Sequence, residues 1–160
     1  MSTLLPSTPP QGPSLSLQVG GMTLPHPEKG PTGGEDAYFF MENLIGVFDG
    51  VGGWRRLGYD PSAFTRSFAA RVVANVTAQR RAESPALAHA AATAAGIGSC
   101  TACLASFDPE SGDVAGLNLG DSGALLLRRE RTGQGRNYFV AYRTQSQQHR
   151  FNQPVRTFVD

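Results

Sequence analysis

The chain has 160 residues, a formal net charge of +1, and 40% hydrophobic and 17% charged residues. That is the size and balance of one soluble globular domain. The near-neutral charge gives no argument for a nucleic-acid or anionic-membrane partner, and no run approaches the ~20 apolar residues of a membrane span.

Residues 1–13 are rich in Pro, Ser and Thr, too poor in apolar side chains to pack, and are expected to form a disordered leader ahead of one domain over 14–160. The first 27 residues hold no Asp, Glu, Lys or Arg, which supports neither a secretory signal nor an Arg-rich transit peptide. Leu15 to Val19 alternates and predicts a first strand. Proline and glycine punctuate Pro25 to Gly34, a loop. Ala37 to Met41 predicts a second strand, turned at Asn43 into a third, Leu44 to Phe48, that stops at Asp49.

Asp60 followed by Pro61 predicts a helix start, because Asp can cap and Pro is tolerated in the first turn. Phe64, Phe68, Val72 and Val76 then recur at helical spacing as a core stripe. A second, Ala-rich helix is predicted from Ser84 to about Ala95, with His89 as an ordinary surface or core histidine. Gly98 to Phe107, Val114 to Leu119, Ala124 to Arg128 and Tyr138 to Arg143 complete the strands. The pattern suggests an α+β fold of packed sheets with helices outside. Cys100 and Cys103 are the only cysteines. With no second pair to complete a zinc site, and three positions apart on one strand, they read as two buried or half-buried thiols.

The chemistry concentrates in the segment from Gly46 to Trp54. A buried strand delivers the Asp49 carboxylate to its tip, and Gly50, Gly52 and Gly53 permit positive φ and close backbone approach. A carboxylate beside an open carbonyl suits a hard cation such as Mg²⁺ or Mn²⁺. A phosphate-cradling loop would need Lys-Ser or Lys-Thr where Trp54-Arg55 stands. The competing reading is a glycine-rich turn with Asp49 as its cap. Adjacent strands would bring Glu35 and Asp36 close to Asp49.

Gly34-Glu35-Asp36-Ala37, then Gly46 to Trp54, then Gly120-Asp121-Ser122-Gly123 resemble, in order, the motifs of the metal-dependent type 2C (PPM) protein serine/threonine phosphatases. The Asp-Gly-Val-Gly-Gly-Trp loop, Pro25 to Lys29 and Gln147 to Asn152 are similar to its small organelle-associated branch. The match runs from about Gly20 to Pro154. The resemblance implies a layered α-β-β-α sandwich of two antiparallel sheets flanked by helices, and hydrolysis of phosphoserine or phosphothreonine in proteins by a metal-activated water. It implies two or more Mg²⁺ or Mn²⁺ ions, with Asp49 bridging two and the Gly50 carbonyl binding one. Glu35 or Asp36 would hold a metal-bound water, and Asp121 would lie near a third, weaker metal position, its alternative being a hairpin turn. Lys29 or His26 would contact substrate phosphate. Val51 stands where the wider family has a histidine, so the proton for the leaving group must come from water or another group.

The family's later metal-binding aspartates have no counterpart before Asp160, so the sandwich is expected to be incomplete at its C-terminus. Exposed sheet edges would then favour self-association. The alternative function is a catalytically silent, phosphatase-like binding or regulatory protein, and a gene-model fragment is a third reading. A soluble intracellular protein, in a mitochondrion or plastid, is implied by resemblance alone.

Overall fold

The computed structural model describes residues 15–79, 96–132 and 135–159. The leader, the helix expected from Ser84 and His89 lie outside the described residues.

Ten strands, one long α-helix and two short 3₁₀ helices make up the regular structure of these residues. Strands β1 (Ala37–Phe40), β2 (Leu44–Phe48), β4 (Ala102–Phe107) and β5 (Val114–Leu119) form one antiparallel sheet in the order β1-β2-β4-β5. Three two-stranded pieces accompany it. β3 (Gly98–Cys100) pairs with β10 (Thr157–Val159), β6 (Leu125–Thr132) with β7 (Gly135–Arg143), and β8 (Gln148–Arg150) with β9 (Gln153–Pro154). The expected α+β class with antiparallel sheets is the one observed. No helix among the described residues is long and apolar enough to cross a membrane.

The helix, α1 (Pro61–Gln79), starts where its sequence says it should. Asp60 Oδ1 accepts hydrogen bonds from the Ser62 N–H at 2.9 Å and the Ser62 hydroxyl at 2.7 Å, satisfying a donor that the first turn leaves orphaned. Its buried stripe of Phe64, Phe68, Val72 and Val76 meets Leu44 and Phe48 of β2 and Ala102 and Leu104 of β4. Phe68 sits at the centre, edge-on to Phe48 at 5.4 Å and stacked with Phe64 at 6.1 Å. Such offset and edge contacts add to the area term that dominates a core. Strand alternation puts Tyr38, Phe40, Ile45 and Val47 on the opposite face, where they are partly exposed.

Four of the expected elements differ. Leu15 to Val19 pairs with no strand; its alternation supplies two faces but no neighbour supplies a ladder, and the Leu15 N–H bonds instead to the Pro109 carbonyl at 3.0 Å. Gly98 to Phe107 is two strands in two sheets, broken at Thr101. The strand expected from Ala124 to Arg128 runs Leu125–Thr132. Tyr138 to Arg143 is not the last strand: β7 begins at Gly135, and β8, β9 and β10 follow in a stretch whose polar composition shows no period.

Candidate functional site

The β1–β2 register explains why two acids meet. Ala37 lies opposite Phe48, so Asp36, one residue before β1, falls beside Asp49, one residue after β2. Asp49 is then pinned through its backbone. Its N–H donates to Thr101 Oγ1 at 3.1 Å, and its carbonyl accepts from the Thr101 N–H at 3.0 Å. The break in the β3–β4 strand thus has a job. Thr101 turns its hydroxyl towards Asp49 and also to Ser122, 2.6 Å away, which joins the β2 tip to the Gly120–Gly123 turn. Asp49 is not a cap: the residue preceding the short 3₁₀ helix Gly52–Leu57 is Val51, and no side chain caps it.

At Gly50 and Gly52 glycine is required for a reason other than positive φ. Among the described residues Gly50, Gly52 and Gly53 are absent from the left-handed set that includes Gly33, Gly34 and Gly58. A Cβ on Gly50 would collide with the Glu35 carbonyl and the Thr65 hydroxyl, and one on Gly52 would lie 2.6 Å from Glu35 Oε2. The loop closes directly on the Glu35-Asp36 segment. Gly50→Ala is therefore expected to destabilise the chain by about 1–3 kcal/mol, the usual cost of overpacking a closed contact; urea unfolding of the two proteins reads it directly.

Glu35 is 4% exposed, and both its oxygens are taken. Lys29 Nζ bonds Oε2, and Arg55 Nη2 bonds Oε1 at 3.2 Å. A buried carboxylate needs such partners. The structure places Glu35 as the anchor of these two cations. His26 stands at the rim, its Nδ1 accepting from the Glu28 N–H at 3.4 Å.

These parts surround a cavity of about 400 Å³, whose wall includes Lys29, Glu35, Asp36, Asp49, Gly50, Asp121, Asn152 and Arg156. Asp49 is pushed up from 3.8 to about 6, first by burial, then by the charge and hydrogen bond of Asp36 and the charge of Asp121, with Lys29 opposing. Carboxylates crowded in this way repel one another, and a cation held between them would relieve that repulsion. Among the described residues no three His, Cys, Asp or Glu side chains converge on one point at metal-binding distance. Asp36 and Asp49 supply the carboxylate oxygens that a hard cation takes as ligands. The Gly50 carbonyl stands beside them, unused by the bridge that joins Gly50 to Cys100. Cys100 and Cys103 are free and buried; burial raises both thiols, Cys100 to about 12 with the Asp49 charge adding, so neither is a thiolate nucleophile at neutral pH.

Thr101 and Arg156 escaped the sequence reading; Arg55 entered it only as part of the Trp54-Arg55 pair that excludes a phosphate loop, and Asn152 only as the end of the Gln147 to Asn152 motif. Thr101 left no distinct signal, since the run from Gly98 to Phe107 that reads as one strand also carries the hydroxyls of Ser99 and Ser106.

No protein-family model matches the chain. It is 36% identical over 153 residues to the probable protein phosphatase 2C 80 of Arabidopsis thaliana, covering 92% of this chain and 34% of the relative. The probable protein phosphatase 2C 26 of the same plant is 37% identical, with 91% of this chain and 47% of the relative covered. Among solved structures, the X-ray structure of the photosystem II phosphatase PBCP superposes with a TM-score of 0.69 at 31% identity, over 86% of this chain and 53% of that one. The chain is thus similar to protein phosphatases 2C along most of its own length and spans about a third to a half of theirs.

Proposed function

We propose that this chain carries part of the active site of a divalent-metal-dependent protein phosphatase acting on phosphoserine or phosphothreonine. The observation that carries the reading is the Asp36–Asp49 pair, two carboxylates forced together by strand register at the wall of a polar cavity.

A phosphomonoester dianion repels nucleophiles, so its hydrolysis needs positive charge at the phosphate and an activated water. Mg²⁺ or Mn²⁺ supplies both when bound. Asp36, Asp49 and the Gly50 carbonyl would hold it, with Asp121 on the same wall. The chain's own residues set the surroundings. Thr101 fixes the Asp49 backbone from both its N–H and its carbonyl, so the carboxylate keeps one position as charge changes. Glu35 holds the Lys29 ammonium on the cavity wall, where it can meet a phosphate oxygen. Val51 offers no proton, and the buried thiols offer no nucleophile, so water in the open cavity makes the attack and the leaving group's proton comes from water or another group on the wall.

The test is hydrolysis of a phosphothreonine peptide by the purified chain with and without Mn²⁺. Turnover that requires Mn²⁺, is removed by chelator and returns on re-addition is the expected outcome. Turnover indifferent to chelator would count against the reading.

A further inference from the structure

Arg156 lines the same cavity as Asp36, Asp49 and Asp121. Among the described residues no carboxylate pairs with its guanidinium, whereas Lys29 on that wall is engaged by Glu35. An arginine beside a cluster of acids, yet paired with none of them, keeps its donors available.

Its position is fixed from both sides. The Val155 N–H donates to the Gln147 carbonyl at 2.9 Å, and the Gln147 N–H to the Gly120 carbonyl at 2.7 Å. This ties the segment to the turn that presents Asp121. On the other side, Thr157 pairs with Cys100 in β3, the residue bridged to Gly50. Gly120 closes the joint: at φ 105° a Cβ there would lie 2.7 Å from Thr101 Cγ2 and 2.8 Å from the Val155 carbonyl. Asn152, on the same cavity wall, holds φ 56° and turns β8 into β9. Left-handed backbone at a non-glycine residue persists where the surrounding structure enforces it.

We propose that Arg156 is a substrate-binding residue that holds the phosphate oxygens of the phosphorylated side chain in this cavity. A guanidinium presents paired N–H donors that match two phosphate oxygens, a geometry the Lys29 ammonium lacks. It also offsets the repulsion that Asp36, Asp49 and Asp121 exert on an incoming dianion. The proposal rests on the phosphatase reading of the cavity and adds the residue through which this chain grips its substrate.

The experiment titrates inorganic phosphate calorimetrically into the Mn²⁺-loaded chain, for wild type, Arg156→Ala and Arg156→Lys. Arg156→Ala is expected to weaken phosphate binding by about tenfold or more, as loss of a charged hydrogen-bond donor does. Arg156→Lys should recover part of that loss, and Mn²⁺ affinity and Tm should stay at wild-type values, since the side chain is exposed. Equal phosphate affinity in Arg156→Ala, or a wild-type chain that binds Mn²⁺ but no phosphate, would overturn the proposal alone. A wild-type chain that takes up no Mn²⁺ would contradict the metal reading itself, and the Arg156 role would fall with it.

Discussion

Asp49→Asn is expected to weaken Mn²⁺ binding by about a hundredfold or more and to take hydrolysis of a phosphothreonine peptide with it. Loss of a mere supporting partner of a metal site costs roughly 10–100-fold, and Asp49 would be a direct ligand contributing both charge and shape. The substitution is close to isosteric. Both backbone bonds to Thr101 remain available, so the β2 tip should keep its place. Removing one carboxylate also relieves the burial of its charge and the repulsion from Asp36 and Asp121, which together raise Asp49. The metal-free variant should therefore melt at the same temperature as the wild type at pH 7, or higher. Lost metal binding with undiminished stability separates a ligand from a structural aspartate, and a Mn²⁺ titration with a thermal melt reads both.

Mn²⁺ affinity should fall about tenfold per pH unit below pH 6, roughly a hundredfold by pH 4, and level off above. The cause is competition: Asp49 is held up at about 6, so below that pH a proton must leave before a cation can bind, and one proton lost gives one decade per unit. The sign for metal-free stability is the reverse of the usual carboxylate case. Between 3.8 and about 6 the folded chain retains a proton that the unfolded chain has already released. Apo stability therefore declines as pH rises through that window and is lowest above it. Urea midpoints at pH 4 and pH 7, with chelator and with Mn²⁺, check both signs: the apo midpoint should fall with pH while the stabilisation by Mn²⁺ grows.

Elements governed by local chemistry were legible in the sequence. Asp60-Pro61 announces α1, the Phe64-Phe68-Val72-Val76 stripe names its buried face, and Leu44 to Phe48 ends where its apolar run ends at Asp49. The meeting of Asp36 with Asp49 was legible too, because a short turn at Asn43 leaves adjacent strands little choice of partner. Elements that depend on distant partners were not. Leu15 to Val19 has the period of a strand and finds no ladder. Thr101 breaks what reads as one strand because Asp49 and Ser122 claim its backbone and hydroxyl from distant parts of the chain. β8 to β10, Asn152 and Arg156 lie in polar sequence where periodicity is silent; the place of Asn152 and Arg156 on the cavity wall follows from the pairing of β10 with β3 and from the Gln147–Gly120 bond. The loop glycines were recognised, but the reason for Gly50 and Gly52 is packing against Glu35, which no residue-by-residue reading of φ preference reveals.

The most direct measurement is a calorimetric Mn²⁺ titration at pH 7 of the wild-type chain beside Asp49→Asn. Saturable binding to the wild type, with the variant weaker by about a hundredfold or more, is the expected result. Equal binding by the two proteins, or none by a folded wild-type chain, would contradict the assignment of Asp49 and its neighbours as a metal-holding site.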